Sequence, residues 1–96
     1  MEAMARMDQP KVTGYRRLSD EEGRLMNEVK ALGQSIEGHI AMIESHLRTQ
    51  KTDAGDSDEA KRIDAAQPMR WAAIARTDFQ QALMALTRAI AQPGSF

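Results

Sequence analysis

Tyr15, Arg16 and Arg17 stand side by side, and Lys30 follows about three helical turns into the periodic stretch after them. An aromatic face stacks on a nucleobase, and guanidinium or ammonium groups pair with phosphate, so this combination fits a nucleotide. The same residues also fit packing alone, with Tyr15 covering a helix start and Lys30 laying its stem over the apolar seam beside Met26 and Gly33. A second set lies further along, where Arg70, Arg76, Thr77 and Arg88 interrupt apolar stripes. Arg76 and Thr77 sit between the bulky Trp71 and Phe79, where copies of the chain are expected to meet. An arginine at such a contact usually pairs with a carboxylate, and Asp78 is adjacent. Around a symmetry axis, repeated arginines repel unless an anion lies between them, which would make an anion site from several copies of one residue.

Other chemistry finds little support. His39 and His46 are the only histidines, roughly 10 Å apart along a helix, whereas chelation from one helix wants four-residue spacing. No third ligand accompanies them, and zinc needs three or four. Asp53, Asp56, Asp58 and Glu59 cluster, but without the alternation and central glycine of a calcium loop. There is no Ser/His/Asp pattern, phosphate-binding glycine loop or dinucleotide fingerprint. Neither catalysis nor a metal or cofactor is expected.

Composition bounds the remaining classes. Ninety-six residues make one domain with a thin core. Without cysteine there is no disulfide framework, thiolate metal site or thiol nucleophile. Thirteen basic against fourteen acidic side chains give a formal charge of −1, so no global field draws in nucleic acid or an acidic membrane. No apolar run approaches the length of a membrane span, and the first residues lack the apolar core of a signal peptide, so the expected compartment is the cytosol.

The elements that must carry these residues are helical. Residues 1–13 have no useful period and read as a flexible tail, followed by a single domain over 14–96. Gly14 to Leu18 is a linker, and Ser19 with Glu22 has capping-box spacing. Leu25, Val29, Leu32, Ile36, Ile40, Ile43 and Leu47 then form one seam, predicting a helix over 19–50. Gly23, Gly33 and Gly38 interrupt it, either allowing close helix approach or simply tolerated. Lys51 to Glu59 is polar and without period, predicting the turn of a hairpin. A second helix runs to about Gln92 and is stopped by Pro93. It starts either just before Pro68, or earlier near Ser57 with a kink at the proline; the earlier start is favoured. One stripe on it is Ala72, Ala75, Phe79, Ala82, Leu83, Leu86 and Ile90, and a second is Trp71, Ile74, Ala85 and Ala89. So wide an apolar arc exceeds what one hairpin can cover, which predicts an all-α antiparallel hairpin assembled into a homo-oligomer.

The stretch TGYRRLSDEEGRLMNEVKALG, followed by an acidic turn and WAAIARTDFQQALMALTRAIAQP, resembles the phage anti-CBASS cyclic-oligonucleotide sponges. Their helical hairpin is shared with phage proteins that sequester the Thoeris signal. The likeness covers roughly residues 13–93 and rests on the order and spacing of short motifs together. It implies a compact hexamer in the host bacterial cytoplasm. Such a hexamer sequesters cyclic di- and trinucleotides, such as 3′,3′-cyclic GMP–AMP and cyclic tri-adenylate, without cleaving them. By that likeness, Tyr15 would stack on the dinucleotide between protomers, Lys30 would hold it and Arg16 would neighbour its phosphate. A separate trinucleotide site on the second helix falls to Arg76 and Thr77, with Arg70 behind them. From the residues alone, the other reading is an oligomeric adaptor whose second apolar stripe docks another protein.

Overall fold

The computed structural model describes residues 16–94; the tail at 1–13, Tyr15 and the last two residues lie outside them. Helix α1, Asp20–Ala54, starts where the capping box predicts. The Glu22 N–H donates to Ser19 Oγ at 3.1 Å, and the Ser19 N–H donates to Glu22 Oε1 at 2.8 Å. Two of the helix's four orphan donors are thereby satisfied, while Asp20, Glu21 and Glu22 face its positive end.

The polar run read as a nine-residue turn proves to be mostly helix ends. Helix α1 continues four residues past the expected stop, and helix α2, Asp58–Ala66, begins after only three more. Gly55 makes this possible by adopting a φ of 61°, which reverses the chain at once. Ser57 ties the two ends together, its Oγ donating to the Ala54 carbonyl at 2.7 Å and accepting the Ala60 N–H at 3.3 Å. Asp58 and Glu59 then occupy the first turn of α2, where carboxylates suit the helix dipole.

The expectation of one kinked second helix is also corrected. Gln67 takes a left-handed conformation (φ 53°) that closes α2, its N–H reaching the Ile63 carbonyl at 3.1 Å. Helix α3, Pro68–Ala91, starts afresh with Pro68 in its first turn, where the missing N–H would have had no partner anyway. The chain is thus broken at Gln67 rather than bent at Pro68.

Helix α3 runs antiparallel along α1, and α2 packs on the end of α1 nearest the turn. The result is a rod of 70 × 24 × 21 Å, with a radius of gyration of 21.1 Å. A compact chain of this length would have about 13 Å. Among the described residues only Ile40, Ala60 and Ile63 are buried, so the core is as thin as chain length implies. Two members of the α1 seam, Leu32 and Ile43, remain about half exposed, as do Trp71, Phe79 and Leu86 of α3. The hairpin leaves apolar surface uncovered on the faces where the sequence has it in excess. No helix is long and apolar enough to cross a membrane among the described residues.

Candidate functional site

At the open end of the hairpin, the linker before α1 is fastened to the last turn of α3. Arg16 Nε donates to the Ala91 carbonyl at 3.1 Å, and Nη2 donates to the Ile90 carbonyl at 2.8 Å. The other edge of the guanidinium meets Glu22 in a fork, Nη1 to Oε1 at 3.1 Å and Nη2 to Oε2 at 2.8 Å. Helix C-termini carry unsatisfied carbonyls and a partial negative charge, so a guanidinium is suited to both needs. Glu22 therefore has two jobs, capping α1 and orienting Arg16. Its carboxyl is held down to about 2 from the usual 4.5, chiefly by the hydrogen bond from Arg16 and then by that from the Ser19 backbone.

One to two turns further in, α1 and α3 enclose an open groove of about 530 Å³. Met26, Val29, Lys30 and Gly33 supply one wall, and Leu83, Met84 and Thr87 the other. Gly33 is where the helices come close: a Cβ built there would lie 3.1 Å from Leu83 Cδ1. At Gly23 and Gly38 a Cβ would meet nothing within 4 Å. Of the three glycines, then, Gly33 serves the packing and the other two are tolerated. Lys30 stands on the ridge between this groove and a neighbouring one lined by Gln34, Phe79 and Gln80. Its side chain is exposed and has no carboxylate partner among the described residues. An ammonium placed over mainly apolar walls is equipped to hold an anionic ligand whose apolar faces lie against those walls.

The second candidate set is divided by the helix. Arg70 and Thr77 share a shallow groove of about 340 Å³ with Ile74 and Asp78, and the Arg70 guanidinium lies 5.2 Å from the Trp71 ring centre. Arg76, next to Thr77 in sequence, is rotated about 100° from it around the helix and turns toward α1. There it forks onto Glu44 at 2.8 and 3.0 Å and reaches Glu37 at 3.3 Å. Asp78, the partner expected from sequence, is not the one used. These contacts raise the Arg76 pKa above its ordinary value and lower that of Glu44, in both cases chiefly through the hydrogen bonds between them.

Of the other candidates, His39 Nδ1 lies 2.9 Å from the Ser35 carbonyl one turn back, and both histidines are exposed. No cluster of His, Asp or Glu suited to a metal occurs among the described residues. Sequence reasoning missed Glu22 as the partner of Arg16, and Glu37 and Glu44 as partners of Arg76. It also missed Leu83, Met84 and Thr87 as the far wall of the Lys30 groove. Arg16 and Glu22 are six residues apart and meet across the start of α1, whereas only the register of two helices separated by tens of residues brings the other groups together.

A family model described as Acb2/Tad1, hairpin domain, matches residues 7–91 of the chain. A protein named Anti-CBASS protein 2, from Pseudomonas phage JBD67, is 38% identical over 99 residues, covering 86% of this chain and 92% of that protein.

Proposed function

The chain belongs to the Acb2/Tad1 hairpin-domain family, and from that premise we propose that it is an anti-CBASS sponge. It binds cyclic di- and trinucleotide second messengers such as 3′,3′-cyclic GMP–AMP and cyclic tri-adenylate, and withholds them uncleaved from the effectors of the host bacterium. The observation that carries this reading is Lys30, an unpaired ammonium among the described residues, standing between two grooves near the end where the linker is fastened. Tyr15 is assigned to base stacking and Lys30 to phosphate, with Arg16 at the same end of the hairpin. Arg70, Thr77 and Arg76 are assigned to the trinucleotide. Of these, Arg70 and Thr77 share a groove, whereas Arg76 would have to leave its carboxylates to take part.

The exposed apolar residues on both long helices support association of copies, which we take to be six, with grooves completed by neighbours. Sequestration is stoichiometric competition, so affinity and number of sites decide the outcome. Stacking at about 1–3 kcal/mol per base, with charge-assisted phosphate contacts, supplies affinity on the needed scale. Pre-formed helices lower the ordering cost of binding.

The test is calorimetric titration with 3′,3′-cyclic GMP–AMP, followed by chromatography of the nucleotide released on heating. Tight binding with intact nucleotide recovered is expected, with Tyr15→Ala and Lys30→Ala each abolishing the heat while leaving the oligomer unchanged. Appearance of cleaved product would make the protein an enzyme. Absence of heat with either cyclic nucleotide would shift the weight to an adaptor that docks another protein on the exposed Trp71 stripe.

A further inference from the structure

Arg76 commits donors from all three of its nitrogens across the hairpin. Nη1 and Nη2 form a fork on Glu44 at 2.8 and 3.0 Å, and Nε reaches Glu37 at 3.3 Å. Two carboxylates in contact with one guanidinium leave it no unmatched charge to offer an anion. The fork is also the most sheltered ion pair among the described residues, with the Arg76 side chain 30% and that of Glu44 17% exposed. Holding a phosphate bidentately takes two parallel donors, which Arg76 can offer only by breaking that fork. Glu44 would then be left sheltered and without its partner, which costs more than the pair itself contributes.

The same fork settles where its neighbours on α3 point. Arg70 and Thr77 are seven residues apart, so they lie within about 20° of each other around the helix and about 100° or more from Arg76. With Arg76 pinned on α1, both are turned into the shallow groove that they share with Ile74. There the Arg70 guanidinium lies against the Trp71 ring and has no ion pair among the described residues. Asp78 lines the same groove about 12 Å further along the helix axis, too far to pair with it. One arginine of the set is thus spent on the partner helix, and the other is left with its charge to use.

We propose that Arg76 is a positioning residue: its fork on Glu44 and its bond to Glu37 set the rotation and register of α3 against α1, and so aim Arg70 and Thr77 at an anion that Arg76 itself does not touch. The inference rests on the function proposed above and narrows its trinucleotide site to Arg70 and Thr77. It also makes Glu44, on the other helix, a determinant of trinucleotide binding.

Glu44→Gln is the informative variant, since it keeps the size of the side chain and releases the arginine from its charged fork. Were Arg76 a phosphate ligand, that release would strengthen trinucleotide binding; for a positioning residue it weakens it. Affinity for cyclic tri-adenylate is expected to fall about tenfold, the scale on which side chains left to be ordered at binding cost affinity. Affinity for 3′,3′-cyclic GMP–AMP should hold, because the Lys30 groove is pinned separately by the Arg16 clasp and by Leu83 on Gly33. The guanidinium is followed directly in nitrogen-15 spectra, where a held arginine gives a sharp Nε–H signal. The signal lost in Arg76→Lys belongs to Arg76. It should be sharp in the free protein, stay sharp and in place as cyclic tri-adenylate is added, and broaden in Glu44→Gln. The Glu44 carboxyl is lowered, chiefly by the hydrogen bond from Arg76, so the fork survives the mildly acidic buffer in which such signals are recorded.

Three results would overturn the proposal. One is Glu44→Gln binding cyclic tri-adenylate as well as the unaltered protein or better. Another is an Arg76 signal that shifts and broadens as the nucleotide is added, which would mean that the guanidinium exchanges Glu44 for phosphate. The third is loss of both nucleotides in Glu44→Gln, which would make the fork a general support of the hairpin. Should Glu44→Gln fail to fold, the signal in the unaltered protein carries the test alone. If the unaltered protein binds neither nucleotide, the function reading fails and the ligand part of this inference with it. The signal in the free protein then decides by itself whether the fork holds Arg76.

Discussion

At the turn end of the hairpin, α2 presents Ala60 and Ile63, two of the three buried residues among those described, and a single serine links the facing helix termini. At the open end, none of the described apolar residues is fully covered. There the helices are joined by an arginine clasp, by one close glycine contact, and near the middle by the fork of Arg76 on Glu44. One end thus spends its small apolar content on stability, while the other is pinned by polar contacts and keeps its grooves open. Burial is non-directional and fills space, so a ligand site cannot be built where it is complete. Directional hydrogen bonds hold two helices at a set distance without filling what lies between them.

Removing the apolar anchor should give the largest effect. Ile63→Ala, at 3% exposure, is expected to lose about 2–4 kcal/mol in chemical denaturation. Dinucleotide affinity under folding conditions should remain. A loss below about 1 kcal/mol would show that the turn end is not the stabilising half.

Glycine substitutions sharpen the contrast at an intermediate scale. Gly38→Ala should stabilise by up to about 1 kcal/mol, since its new methyl meets nothing within 4 Å. Gly33→Ala should gain less or lose, because Leu83 must yield where the gap is 3.1 Å, and its effect should appear in the shape of the Lys30 groove. Equal gains at both positions, read from thermal unfolding, would deny Gly33 its role in helix approach.

Acid should distinguish the ends. Glu22 and Glu44 both have carboxyls lowered in the folded protein, by Arg16 and Arg76 respectively. A group whose pKa falls on folding stabilises fully above its unfolded value, near 4.5, and loses that contribution as pH falls through the folded value. For Glu22 that window runs from about 4.5 to about 2. Glu59 on α2 is lowered too, by its hydrogen bond with Arg62, but that exposed pair contributes little. Amide protection in the last turn of α3 should therefore decline across this window before protection in α2 does. A carboxyl titration of Glu22 should return toward its ordinary range in Arg16→Ala.

The smallest effect should come from the surface pair of Arg62 and Glu59 on α2, 2.7 Å apart and more than half exposed. Arg62→Ala should leave stability almost unchanged, because exposed pairs of this kind contribute little net energy. A larger loss in denaturation would make the turn end depend on charge as well as burial.

Local signals in the sequence account for much of the fold. Ser19 and Glu22 start α1, the spacing from Leu25 to Leu47 makes it one long helix, and Pro93 follows the end of α3. These devices act within a turn or two of backbone, so residue types and spacing determine them. The excess of apolar positions on α3 was legible for the same reason, and the half-exposed Trp71, Phe79 and Leu86 are its consequence. Lys30 could be singled out as a cation on a seam edge, but its groove could not, because half of the wall comes from α3.

Composition misled at the turn, where polar residues are as much at home in capped helix ends as in loops. What the tertiary structure alone decided is which residues stand opposite one another. The clasp of Arg16 on Ile90 and Ala91, the turning of Arg76 onto Glu37 and Glu44 and away from Thr77, and the seating of Leu83 on Gly33 all depend on the register of α1 against α3. Helical periodicity specifies a face but not an axial position, so a shift of one turn would preserve every pattern in the sequence and change every one of these partners.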